Sequence, residues 1–401
     1  MLRFLTAGES HGQALVTILE GMPAGLAVDF DAMNHQLRRR QGGYGRGRRM
    51  AIESDRAQVL SGVRHGLTTG GPIALLIPNK DWENWQRTMA VERPPGPDVP
   101  GSDRPLVTRP RPGHADLAGV AKYGQEDIRN ILERASARET AARVAVGALA
   151  RQLLGQVGAE IVSHVVAIGP ASVAHPQALT FAEIKAIPED APLRCADDEV
   201  QQRMMKQIDE AREAGDTMGG SFEVVVQGVP AGLGSHVQWD RKLDGRLAQA
   251  LASIPAIKAV GIGLGPDVAG LPGSRIHDEI LPRGTSSGNT LGVVRPTNTA
   301  GGLEGGITNG EDLRVTAYMK PIATLMKPLR SVDLTTMADS PAAIERSDVC
   351  AVPAAAVVGE AMVAIVLADA LMEKFGGDSV AELLENWRAF AARTSARFVR
   401  A

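Results

Sequence analysis

At 401 residues, 44% hydrophobic and with a formal charge of -3, the chain can bury a large core and offers no overall basic surface to a polyanion. Aromatics at 3% are too few for base-stacking platforms, and Cys195 and Cys350 lie far apart in no metal or redox spacing, which makes a reducing cytoplasm the expected compartment. The opening MLRFLTAGES lacks the apolar run of a signal peptide.

In chain order, a short N-terminal strand is expected to lead into AGESHG, residues 7–12, where glycines frame His11. A histidine at a strand end can donate a proton to a leaving phosphate, because it titrates near neutrality. The plain alternative is a histidine that satisfies a turn. A strand over 14–21 and a helix over 29–40 follow. The helix runs into LRRRQGGYGRGRRM, residues 37–50, with six arginines and four glycines. Of the 43 basic residues 34 are Arg, whose planar fork suits carboxylate and phosphate. Read alone, 37–50 resembles an RNA-binding segment; a small phosphate- or carboxylate-bearing ligand is the competing reading.

Beyond a strand over 72–79, residues 90–113 hold seven prolines and little apolar periodicity, which predicts a long mobile loop and a candidate lid. TRPRPGHADLAG, residues 108–119, follows with His114 and Asp116 beside Arg109 and Arg111. Two such groups make a weak zinc pair, and a general acid near an anion is the better reading. A helix is expected near 133–155, with Ser136 and Glu139 as a capping box. Arg134 and Arg138 sit where the helix dipole disfavours cations, a cost that a bound anion would offset.

Strands over 159–169, 221–229 and 258–265 and helices over 198–214 and 240–253 complete the middle of the chain. AGGLEGGITNGEDLRVTAYMKPIAT, residues 300–324, is a glycine-dense loop running into a strand that ends at Lys320-Pro321; it is neither a P-loop nor a dinucleotide fingerprint. ERSDVCAVPAA, residues 345–355, opens a buried helix over 353–375, with Asp348 as an ordinary N-cap or, beside Arg346, a proton acceptor. Charges and Pro353 within 350–371 favour a core helix over a membrane span, and FGGD at 375–378 ends it. These elements predict a mixed α/β or α+β fold in a single compact domain over 1–401, with 379–401 as a C-terminal tail.

AGESHG, RRRQGGYGRGRRM, RPGHAD, RASARETAARV, GGLEGGITNG, MKPIAT and RSDVCAVPAAAVVGE stand in the order found in the chorismate synthase family. The resemblance covers roughly residues 2–378. It implies an α+β fold with a β-α-β sandwich core and long active-site loops, and a homotetramer built as a dimer of dimers. It implies a carbon–oxygen lyase acting on phosphates at the last step of the shikimate pathway, in the cytoplasm. There 5-enolpyruvylshikimate 3-phosphate loses phosphate and a C6 hydrogen by 1,4-anti elimination to give chorismate. Reduced FMN is required without net redox, and NADPH is a reductant in some members.

By the same resemblance His11, His114 and Asp348 are catalytic: His11 protonates the departing phosphate, His114 maintains the protonation state of the reduced flavin, and Asp348 acts as base. Arg40, Arg46, Arg49, Arg111, Arg138 and Arg346 bind substrate, Arg40 and Arg46 also matching NADPH contacts. FMN contacts fall on Arg134, Ala135, Ser136, Pro255, Ala256, Gly305, Lys320, Pro321, Ile322, Ala323, Thr324 and Arg346. Two residues depart from the family pattern: Pro255 replaces a frequently polar residue, and Ala323 replaces a usual serine. The implied partners are the small-molecule substrate and further copies of the chain, with no nucleic acid and no membrane. The residue-level rivals are an RNA binder built on 37–50 and a flavin reductase using the same pocket.

Overall fold

The helix Val352–Phe375 is apolar all round, and 94% of its most apolar window is buried. A helix with no polar stripe must be enclosed on every side, and the fold is arranged to enclose it. The computed structural model describes residues 1–47, 55–92, 102–282, 291–345 and 347–398.

Two antiparallel sheets face each other across a helical interior. The first contains β1 (Arg3–Ala7), β2 (Ala14–Glu20), β3 (Gln58–Val59) and β4 (Ile73–Pro78), in the order β1-β2-β4-β3. The second contains β5 (Glu160–Ile168), β6 (Ala171–Ser172), β7 (Gly220–Gln227), β8 (Ile257–Ile262) and β9 (Leu313–Met319), in the order β8-β9-β7-β5-β6. In β4 the residues Ile73, Leu75 and Ile77 turn inward at period two. The central β7 is buried along almost its whole length, because it is covered on both faces.

Between the sheets lie α1 (Phe30–Gln41), α3 (Thr140–Gly155), α5 (Leu243–Ala252) and α6 (Val352–Phe375); α2 (Asp116–Tyr123), α4 (Asp198–Ala214) and α7 (Val380–Phe398) lie outside this stack. The helix α3 packs on the first sheet and α6 on the second, and the two helices pack on each other. Small residues let them close up: a Cβ on Gly147 would come within 2.4 Å of the Ala361 Cβ, and one on Gly359 within 2.5 Å of the Phe222 ring. One continuous apolar cluster draws residues from both sheets and these helices. The α+β expectation is met.

Two expectations need correcting. Residues 380–398 of the supposed tail form a helix, started by a capping box in which Ser379 and Glu382 satisfy each other's backbone N–H groups. Its apolar residues Leu383, Leu384, Trp387 and Phe390 pack back on the core. The helix expected from 133 starts at Thr140, after a short turn at Ala137–Glu139. Part of the proposed lid, 93–101, lies outside the described residues.

Candidate active site

His11 occupies the turn joining β1 to β2. Gly8 makes that turn with φ +100°, and a Cβ there would stand 2.3 Å from the Ala14 carbonyl oxygen, so only glycine fits. His11 Nδ1 lies 2.8 Å and 2.9 Å from the two oxygens of Glu133, and the His11 backbone N–H donates to the same carboxylate at 2.8 Å. Glu133 has no exposed side-chain surface. The His11 ring stacks on Trp85 at 3.8 Å, and the Arg104 guanidinium covers Trp85 at 3.7 Å. Arg104 belongs to the proline-rich segment, so the described end of that segment rests against the histidine's support.

The start of α3 differs from the expected capping box. Ser136 accepts from the Arg138 backbone N–H, while the Glu139 carboxylate turns to Arg143 at 2.8 Å. Nor do the two arginines wait for an external anion. Arg138 pairs with Asp55 at 3.0 Å, and Arg134 donates to the carbonyls of Gly8 and Thr6 and to the Thr6 hydroxyl. Arg40, buried at the end of α1, donates through Nε to the Thr140 hydroxyl and through Nη2 to the Ala137 carbonyl, and lies 3.6 Å from Asp55. Asp55 therefore balances the arginines at a cationic helix start.

A second group centres on Asp116, the first residue of α2. Its carboxylate receives Arg111 Nε at 2.8 Å and lies 2.5 Å from His114 Nδ1. Burial alone would raise the Asp116 pKa; the hydrogen bonds from His114 and Arg111 reverse this and hold the group well below the usual carboxylate range. Arg111 also donates to the Thr324 hydroxyl at 3.0 Å. Lys320 Nζ donates to the Gly113 carbonyl at 2.5 Å, and its backbone N–H donates to Ala256, a non-glycine residue at φ +69°. Burial, and then the charge of Lys258, lower the Lys320 pKa.

The third group joins the arginine–glycine loop to the start of α6. Arg46 Nη1 donates to Asp348, and Gly47 N–H donates to the same carboxylate at 2.7 Å. Of the two readings of Asp348, the ordinary N-cap is thus not met. The N-cap position is Ala351, and Asp348 is free of that duty because the loop holds it.

Hydrogen bonds connect the second group to the third through the Ser347 hydroxyl, which donates to the Thr324 carbonyl. They approach the first through Ala256 and Ser253, the latter bonded to Arg143 of α3. The structure thus draws His114, Arg111, Lys320, Thr324, Asp348 and Arg46 into one connected set. Ala135 and Ser136 follow Glu133 and Arg134 of the first group and Pro255 precedes Ala256, while Pro321, Ile322 and Ala323 fill the segment between Lys320 and Thr324. Gly305 stands apart at a hairpin turn, with the His236 side chain nearest to where its Cβ would be. Arg49 and Arg346 lie outside the described residues. Sequence reasoning missed Glu133, Asp55 and Trp85. Glu133 carried a weak signal, an acidic residue immediately before the Arg134-Ala-Ser motif; Asp55 and Trp85 carried none.

Guanidinium groups around two carboxylate-supported histidines are the equipment of an enzyme handling a small anionic molecule, and no His/Cys/Asp/Glu group able to hold a metal occurs among the described residues. A model of the chorismate synthase family matches residues 2–372. The chorismate synthase of Desulforudis audaxviator is 57% identical over 99% of both chains. That of Moorella thermoacetica is 60% identical over 97% of this chain and 98% of its own. A crystal structure of a chorismate synthase, 44% identical, covers 98% of both chains with a TM-score of 0.76. The chain belongs to the chorismate synthase family, and it is accordingly a lyase acting on a small molecule in the shikimate pathway.

Proposed function

We propose that the enzyme eliminates phosphate and the C6 hydrogen from 5-enolpyruvylshikimate 3-phosphate in the 1,4-anti sense, yielding chorismate with reduced FMN bound and no net redox. The donor set supports the cofactor. Lys320 and Lys258 lie near enough for one charge to lower the other's pKa, and neither has a carboxylate partner among the described residues, which suits a phosphate. Lys320, Thr324 and the backbone of 320–324, with Ala256 and the Arg134–Ser136 segment, would hold it. When bound, reduced FMN supplies the electron density that makes this elimination accessible.

The chain's own residues supply charge balance and proton transfer. The Glu133 carboxylate accepts from His11 Nδ1, which leaves Nε2 to protonate the departing phosphate, and it balances the charge of the imidazolium. Asp116 plays the equivalent part for His114, whose proposed duty is to keep the reduced cofactor correctly protonated. Arg46 pairs with Asp348 here; a substrate carboxylate that takes over Arg46 would release Asp348 to accept the C6 proton. Arg46, with Arg49 and Arg346 by family position, would meet the substrate's phosphate and carboxylates, and Arg40, Arg111 and Arg138 would add donors beyond those that Asp55 and Asp116 already engage.

The observation that carries this reading is the carboxylate support of both family-position histidines within a family member. Its test is phosphate release under nitrogen with and without dithionite-reduced FMN. Release is expected only with the reduced cofactor, and equal release in its absence would defeat the reading. NADPH added alone with oxidised FMN tests self-reduction: steady flavin bleaching means the chain accepts NADPH directly. Asp348→Asn is expected to retain FMN binding, read by flavin fluorescence, while turnover falls about 10- to 10⁴-fold. Unchanged turnover would remove Asp348 as the base.

The outer face of the first sheet supports self-association into the proposed homotetramer. Leu5 and Ile18, paired across β1 and β2, are 65% and 45% exposed, and Leu60 is 59% exposed. Light scattering is expected to give a mass near four chains, and a monomeric mass would reject the tetramer.

A further inference from the structure

Where α1 runs into the arginine–glycine loop there is a pocket of about 280 Å³ that the proposed reaction does not use. Its walls include Arg38 and Arg39 from the last turn of α1, Gly42 and Gly43 just beyond it, Arg194, and Pro353 at the start of α6. Of the three arginines in the lining, only Arg39 has an ion-pair partner among the described residues. Arg39 and Arg151 share one buried carboxylate, Glu360, each at 2.7 Å. Arg194 has no carboxylate partner among the described residues; its single side-chain bond is from Nη2 to the Ser163 carbonyl at 3.3 Å, and its Nε is buried without a partner. Burial lowers the Arg194 pKa, and the neighbouring charge of Arg39 lowers it further, while Glu360 and Glu189 pull the other way. Arg38 is exposed and forms no ion pair among the described residues. Two exposed carboxylates, Glu189 and Asp190, also line the pocket, and Glu189 is engaged by His35 at 3.1 Å.

The backbone of Arg194 sits at φ +54°, a left-handed conformation that a residue with a Cβ rarely adopts. It is held there by the bond from Val165 N–H to the Arg194 carbonyl. Strain of this kind concentrates at ligand clamps, and here it accompanies a guanidinium brought beside two others without a counter-ion of its own. We propose that this pocket binds a small dianion of the phosphate type, held by Arg194 and Arg38 with Arg39 at its edge, separately from the candidate active site. Planar forks suit tetrahedral oxyanions, and the volume holds a phosphate or a small phosphate monoester.

The position gives such a ligand a consequence. Arg38 and Arg39 directly precede Arg40, Gly42 and Gly43 lead to Arg46, and Pro353 follows Asp348 by five residues. An anion bridging α1 and Arg194 therefore braces the loop that presents Arg46 to Asp348.

The test is calorimetric titration of the full-length enzyme with inorganic phosphate, with glycerol phosphate, and with sodium chloride at matched ionic strength. Arg194→Gln and Arg38→Gln are each compared with wild type. Both variants are expected to keep circular dichroism and the initial turnover measured without added phosphate, while phosphate-type binding at one site per chain weakens about tenfold or more. Phosphate binding as tightly as the monoester identifies the free ion as the natural occupant, and preference for the monoester identifies a phosphorylated metabolite. Isotherms unchanged in both variants, or the same response to chloride, would overturn the proposal. Arg38 is exposed, so its variant keeps the test decisive should Arg194→Gln lose the fold.

Discussion

His11→Ala is expected to lower turnover about 10²- to 10⁴-fold, and Glu133→Gln is expected to fall in the same range although it removes no catalytic atom. The reason is the direction of one hydrogen bond. A carboxylate only accepts, so Glu133 obliges His11 to carry hydrogen on Nδ1. A carboxamide can instead turn its NH₂ toward Nδ1, place the ring hydrogen on Nε2, and leave the imidazolium without a balancing charge. Substrate binding should be largely spared, because Glu133 is buried behind the ring and the Trp85 stack still holds the imidazole plane. Steady-state kinetics under nitrogen should therefore show a loss in kcat with KM little changed. Wild-type kcat in Glu133→Gln would mean that the Nδ1 contact does not matter to proton transfer, and wild-type kcat in His11→Ala would remove that histidine from the chemistry.

The second large effect concerns stability. Glu360 projects from the middle of α6 and receives Arg39 through both Nη atoms at 2.7 and 2.8 Å, Arg151 at 2.7 Å and the Ser163 hydroxyl at 2.6 Å. Glu360→Ala leaves two guanidiniums and a hydroxyl facing a void and is expected to cost about 3–5 kcal/mol, read as a shift in the denaturant midpoint. A loss below about 1 kcal/mol would mean that water or neighbouring groups take over the carboxylate's role.

Acidification should act on the same group. Burial alone would raise the Glu360 pKa, but the Arg39 charge and hydrogen bond, with Arg151 and Arg194, hold it far below the usual glutamate range. A carboxyl lowered in the folded state contributes stability in full above its unfolded value of about 4.3, and loses it as pH falls from there toward the folded value. Wild type should therefore lose stability below about pH 4 more steeply than Glu360→Gln. Parallel curves would show that the carboxylate is not the group responsible.

Local patterns made most regular elements legible. The expected helix over 198–214 is found at Asp198–Ala214, where Asp197 caps the start and left-handed Gly215 ends it. The glycines after Phe375 stop α6 as expected, with Gly376 at φ +62°. Such signals are read within one turn of chain. The miss at 380–398 was avoidable, since Ser379-Val-Ala-Glu382 is itself a capping box. That Asp348 leaves the cap position was not legible, because the donors to its carboxylate come from a loop about three hundred residues earlier, as the Gly47 contact shows.

By itself the sequence determined that an α+β chain with an apolar core helix would carry glycine-framed histidines and many arginines suited to a small anion. Residue types, periodicity and turn chemistry are local properties, and the family motifs are strings of them. Only the tertiary structure decided what each charge faces: Glu133 behind His11, Asp55 between Arg40 and Arg138, Asp116 under Arg111, and Glu360 between Arg39 and Arg151. Most of those partners come from distant parts of the chain, and pairing of buried charges depends on separations of a few ångströms that no sequence spacing encodes.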